Sequence, residues 1–106
     1  LLSEEMTQER VLKGMINGEE IRIPLKQFPV TLGKLAEYCD YVIPDNTVSR
    51  IHARLEQRNG QIFISDLNST NGTSKNGNII GIHEEVAMKP GDQITMGRVC
   101  FTYCCL

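Results

Sequence analysis

Three short stretches of this chain collect side chains that can hold an anion. Gly33-Lys34 follows the apolar run Val30-Thr31-Leu32, and Val48-Ser49-Arg50-Ile51-His52 precedes an alternating run that begins at Ala53. Asp66-Leu67-Asn68-Ser69-Thr70-Asn71-Gly72-Thr73 follows the run from Gln61 to Ser65. Together they supply the hydroxyls of Ser49, Ser69, Thr70 and Thr73, the amides of Asn68 and Asn71, and the cations Lys34 and Arg50. Hydroxyl donors, turn amides and one or two cations are the groups that a phosphate dianion needs. The same stretches invite a second chemistry, a nucleophilic Ser49 served by His52 with Asp66 to hand. That would require the imidazole to take the serine proton and an oxyanion donor beside it. No Gly-x-Ser-x-Gly elbow is present. His52 therefore reads as a structural residue that hydrogen-bonds its own loop, no residue is assigned a catalytic role, and the chain does not read as an enzyme.

Such residues work only on a rigid scaffold, and the punctuation of the sequence indicates one. Asn-Gly pairs stand at 17-18, 59-60, 71-72 and 76-77. Both residues tolerate positive φ, which makes the pair a preferred hairpin turn. Period-two runs flank several of them. Ile21, Ile23 and Leu25 alternate with polar residues, and Ala53 to Arg58 turns at Asn59-Gly60 into Gln61 to Leu67. Glu85 to Met88 leads into a Pro90-Gly91-Asp92 turn, after which Ile94 and Met96 precede a Gly97-Arg98 turn and then Val99, Phe101 and Tyr103. Short strands at this spacing predict an all-β sandwich or barrel. No amphipathic helix is legible, and residues 1–10 read as a tail or linker, with the folded domain over 11–106. The stretches Gly33 to His52 and Asp66 to Gly77 read as neither strand nor hairpin. Long polar loops on a sheet scaffold are where function concentrates.

Bulk properties narrow the function classes. At 106 residues and 11.9 kDa the chain is one domain. Eleven Lys and Arg against thirteen Asp and Glu leave a net charge of -2, so no general basic field is available to a nucleic-acid backbone. No apolar run approaches the ~20 residues of a membrane helix. The four cysteines, Cys39, Cys100, Cys104 and Cys105, form no Cys-x-x-Cys pair. They read as reduced thiols at core and surface positions, which suits the cytoplasm, and no metal or cofactor is assigned. The chain opens with neither Met nor a signal peptide, and reads as part of a longer protein.

The order of the motifs adds more than their composition. Gly-Lys, Ser-Arg-x-His, Asp-Leu-x-Ser-Thr-Asn-Gly-Thr, Asn-Gly and Pro-Gly-Asp-x-Ile-x-x-Gly follow one another over residues 12 to 103. This series resembles the forkhead-associated (FHA) domain. The resemblance implies a β-sandwich of two sheets and about eleven strands, with recognition loops at one end. It implies recognition of phosphothreonine in partner proteins, in signalling or scaffolding linked to Ser/Thr kinases. By the same resemblance Ser49, Arg50 and Thr70 contact phosphate, and Asn71 holds the peptide main chain. His52 braces the loop without touching ligand, and Gly33 and Gly72 are turn glycines.

One position departs from the family pattern. Lys34 stands where most members carry an arginine that is a principal phosphate contact. Lysine keeps the charge and loses the planar fork that grips two oxygens. Two readings follow: a phosphothreonine reader in which Lys34 and Arg50 share the charge, or a phospho-independent interaction sandwich that has lost strong phosphate reading.

Overall fold

The computed structural model describes residues 9–106. Among them are eleven strands and no helix: β1 (Arg10–Ile16), β2 (Glu19–Pro24), β3 (Val30–Gly33), β4 (Tyr41–Val42), β5 (Ala53–Arg58), β6 (Gln61–Asp66), β7 (Thr73–Lys75), β8 (Asn78–Ile79), β9 (Val86–Met88), β10 (Gln93–Met96) and β11 (Val99–Cys105). They form two sheets, a six-stranded one in the order β2-β1-β11-β10-β7-β8 and a five-stranded one in the order β4-β3-β5-β6-β9. The expected all-β sandwich is the observed fold.

Alternation along the strands builds the core. Leu12 and Ile16 of β1, Ile94 and Met96 of β10, and Val99, Phe101 and Tyr103 of β11 point inward from one sheet. Val30 and Leu32 of β3, Ala53 and Leu55 of β5, and Ile62 and Ile64 of β6 meet them from the other. Each large side chain so buried contributes about 1.5–3 kcal/mol. The tight turns follow the chemistry of their residues: Asn17-Gly18, Asn59-Gly60 and Asn76-Gly77 all have positive φ at both positions, as a type I′ hairpin requires.

Several elements differ from the sequence expectation. Arg10, placed in the tail, is the first residue of β1, and Glu9 exchanges two backbone hydrogen bonds with Leu106. The remainder of the expected tail, residues 1–8, lies outside the described residues. The stretch from Gly33 to His52 contains β4, which runs parallel to β3, and the stretch from Asp66 to Gly77 contains β7. Asn71-Gly72 is not a hairpin pair. Gly72 has φ +84, but the left-handed asparagine of that loop is Asn68.

The register sets the ends of the sandwich. β5 and β6 pair from Ala53 opposite Asp66 to Arg58 opposite Gln61. The Ala53–Asp66 end carries the loops that hold the candidate site, and Asn59-Gly60 turns at the far end, roughly 17–20 Å away at a rise of 3.2–3.4 Å per residue.

Candidate anion-binding loops

The loop between β4 and β5 is fastened to the end of β3 by a continuation of the ladder. Lys34 N–H donates to Ser49 O at 3.0 Å, Leu35 N–H to Arg50 O at 3.0 Å, and His52 N–H to Leu32 O at 2.8 Å. Lys34 is thereby held beside Ser49 and Arg50, although it lies fifteen or more residues earlier in the chain. Gly33 is what permits this approach. An added Cβ would run into the carbonyl of Arg50, so Gly33 serves close backbone contact and not a turn of positive φ. The Cys39 thiol donates to the same carbonyl at 3.2 Å.

His52 and Asp66 join this loop to the one between β6 and β7. Ser49 N–H donates to Nδ1 of His52 at 3.0 Å, and Nε2 lies 2.9 Å from the carbonyl of Gly72. Burial holds the fully buried imidazole below its ordinary pKa, against the opposing pull of the Gly72 carbonyl and the Asp66 charge. Asp66 is also buried. Its Oδ1 accepts from the hydroxyls of Ser69 at 2.5 Å and Thr73 at 2.7 Å, and its Oδ2 accepts from Ser69 N–H at 3.0 Å. Burial disfavours its charge, but these three donors outweigh burial and keep the carboxyl below its usual range. Ser69 Oγ in turn accepts from Gly72 N–H at 2.9 Å.

Above this base, Ser49 Oγ accepts from Thr70 N–H at 2.9 Å, and Asn71 Nδ2 donates to Thr47 O at 2.8 Å. Thr47 is a hub that sequence reasoning missed. Its hydroxyl donates to Asp45 Oδ1 at 2.6 Å and accepts from Arg98 N–H at 2.9 Å. Asp45, bonded to the Thr47 hydroxyl and amide and then paired with Arg98 at 3.0 Å, is held down to about 2. Asp66 was also missed as an organiser. The one local signal for it is its spacing of three residues before Ser69, the spacing of a side chain that closes a turn on backbone N–H.

Every residue expected to contact a ligand lines one cleft of about 440 Å³: Lys34, Ser49, Arg50, Thr70 and Asn71. His52, Gly33 and Gly72 are not among its lining residues. Among the described residues neither Lys34 nor Arg50 forms an ion pair. The triad chemistry has no geometry here, because His52 bonds the backbone of Ser49 while Ser49 Oγ faces Thr70.

The FHA domain family model matches residues 30–97, well over half of the chain. The chain belongs to the FHA family. Similar curated proteins include the FHA domain-containing protein FhaB of Mycobacterium tuberculosis, 40% identical over 63 residues, which are 59% of this chain and 39% of FhaB. The FHA domain-containing protein At4g14490 of Arabidopsis thaliana is 32% identical over 69 residues, 65% of this chain and 18% of that protein. This FHA domain thus aligns with well under half the length of either relative. Among solved structures, Mycobacterium tuberculosis EmbR in complex with a low-affinity phosphopeptide matches with a TM-score of 0.78 and 27% identity, over 91% of this chain and 24% of that one. The FhaA FHA domain, complexed with the intracellular domain of Rv3910, matches with a TM-score of 0.75 and 25% identity, over 92% of this chain and 99% of that one.

Proposed function

We propose that this FHA domain is a phosphopeptide-binding module that recognises phosphothreonine in a partner protein, and that it performs no catalysis. The observation that carries the reading is the convergence of Lys34, Ser49, Arg50, Thr70 and Asn71 on one cleft. The hydrogen bonds already made support a division of roles among these groups. Ser49 Oγ accepts from Thr70 N–H, which leaves its own proton to donate to a phosphate oxygen. The Thr70 amide is spent on that bond, so Thr70 contributes its hydroxyl. Lys34 and Arg50 supply the countercharge. Asn71 has one N–H committed to Thr47 and keeps its Oδ1 and second N–H for the peptide main chain. Val48 and Ile51 also line the cleft and give threonine's γ-methyl an apolar seat. The EmbR complex with a phosphopeptide supports a phosphorylated partner, and the FhaA complex with the intracellular domain of Rv3910 supports a protein partner. That partner is a Ser/Thr-kinase substrate or the kinase itself. The domain works in the cytoplasm or on a cytoplasm-facing part of a larger protein, in keeping with four free thiols; no helix among the described residues is long and apolar enough to cross a membrane. It needs no cofactor and contacts neither nucleic acid nor lipid.

Screening an immobilised peptide library that carries fixed phosphothreonine, phosphoserine or unmodified threonine, with randomised flanks, tests this reading. Retention of the phosphothreonine pool alone supports it. Equal retention of the unmodified pool favours the phospho-independent interaction sandwich that Lys34 also allows.

A further inference from the structure

A second cavity lies at the opposite pole, where the Asn59-Gly60 turn and the Lys89-Pro90 segment close over the open end of the two sheets. It measures about 340 Å³, and Arg10, Gly60, Lys89, Pro90, Tyr103 and Cys105 are among the residues that line it. Its composition is one-sided. No carboxylate lines it, and two cations do. Arg10 Nη2 donates to Gly60 O at 3.1 Å, which fixes the guanidinium at the rim, and its other N–H groups have no partner among the described residues. Neither Arg10 nor Lys89 forms an ion pair with a described residue. Tyr103 is 3% exposed. Its hydroxyl shares a long hydrogen bond of 3.7 Å with the Cys105 thiol. Burial pushes the phenol up to about 12, so it remains a donor. Pro90 is the exposed apolar residue of the rim, and Ile62 and Met88, 1% and 2% exposed, lie in the core beneath it.

Two cations with no ion-pair partner among the described residues, in a cavity that no carboxylate lines, call for an anionic oxygen group. We propose that this cavity binds a small organic carboxylate, its carboxylate between Arg10 and Lys89 and its apolar body against Pro90. The site is separate from the phosphate cleft and does not depend on what that cleft binds.

The test is an NMR titration of the amide resonances of the 106-residue chain with benzoate and, separately, with benzamide, its uncharged analogue. Benzoate is expected to shift Gly60, Gln61, Lys89 and Cys105 saturably, with Kd on the order of 1–10 mM for a ligand of about nine non-hydrogen atoms. Benzamide should bind about ten-fold more weakly, and Arg10→Gln or Lys89→Gln should weaken benzoate by a similar factor, the loss of one charge-assisted bond. The exposed position of Lys89 makes its variant the one that keeps the fold. The proposal is overturned if benzoate produces no saturable shift at these residues. It is equally overturned if benzamide matches benzoate, or if benzoate binds the Lys89→Gln chain as tightly as the original.

Discussion

The backbone N–H of Ser49 lies 3.0 Å from Nδ1 of His52, and this bond decides which ring nitrogen carries the proton. A backbone N–H can only donate, so Nδ1 must accept. The proton then sits on Nε2, where it is donated to the Gly72 carbonyl at 2.9 Å. One neutral imidazole thus ties the loop that offers Ser49 and Arg50 to the loop that offers Thr70 and Asn71. Removing it should loosen both. His52→Ala strands the part-buried N–H of Ser49, at about 1–3 kcal/mol, and leaves the Gly72 carbonyl only the longer bond from Gly97 N–H at 3.3 Å. Urea unfolding should show a clear loss of stability, with weaker phosphopeptide binding as its consequence. Full stability with binding abolished would refute the bracing role.

The same clasp makes stability pH-dependent. His52 is held below its unfolded value of about 6.5. Between that value and the lower folded pKa, the unfolded chain binds a proton that the folded chain refuses, so stability rises with pH across this window. The contribution is fully present above about pH 6.5 and is lost as pH falls through the folded pKa. Asp66 is held below the ordinary carboxylate value, and its contribution is lost with falling pH only in the more acidic carboxylate range, so the two windows separate. Urea unfolding of the original chain and of His52→Gln at about pH 7.5 and about pH 5.5, on either side of the histidine's unfolded value, isolates the term. The original should lose more stability than the variant on acidification, and equal losses would exclude His52 as the source.

Asp66 carries the third prediction. Its two oxygens accept three bonds, from the Ser69 hydroxyl and amide and the Thr73 hydroxyl. Asp66→Asn keeps the shape, removes the charge and turns an N–H donor toward one of these donors. Bonds to a charged group contribute about 1.5–3 kcal/mol each, so stability should fall by at least that of one bond. Thr73→Val should cost less, because it deletes a single donor. A Thr73→Val cost equal to or above that of Asp66→Asn would show that the carboxylate does not organise the loop.

How much of this was legible beforehand follows from where each partner lies. Strand periodicity and the Asn59-Gly60 turn are local properties, and they marked β5, β6, β10 and β11 as strands of a sandwich or barrel, while the two sheets followed from the resemblance to the FHA family. β4 and β8 are two residues each, too short for a period of two to register. β1 was hidden because Lys13, Gly14 and exposed Met15 interrupt its alternation. The residues of the cleft were legible through the order of the motifs, and their mutual bonds were not. Asn71 reaches Thr47 across 24 residues, and Thr70 reaches Ser49 across 21. Nothing local marks a carbonyl as the acceptor of an asparagine so far along the chain. The role of Gly33 was misjudged for the same reason, since the Arg50 carbonyl that needs its space arrives from another segment.

Lys34 and Arg50 divide the charge at the cleft, and substitution separates their shares. Lysine meets phosphate as a flexible point charge, and fixing it costs up to ~2 kcal/mol of side-chain entropy. Arginine offers two parallel bonds from one plane. Lys34→Arg should bind phosphothreonine peptides as tightly as the original or more so. Lys34→Ala should weaken binding and flatten its dependence on salt, because one screened cation is gone. If Lys34→Ala is silent while Arg50→Ala abolishes binding, the phosphate rests on Arg50 alone.

The central claim, that this FHA domain reads phosphothreonine, is tested most directly by calorimetric titration with one library-derived peptide in three forms. The phosphothreonine peptide should bind and its unphosphorylated twin should not. The phosphoserine twin should bind several-fold to tens-fold more weakly, since one buried methyl contributes on the order of 1 kcal/mol. Equal affinity for the phosphothreonine peptide and the unphosphorylated twin would contradict the account and leave a sandwich that binds its partner without reading phosphate.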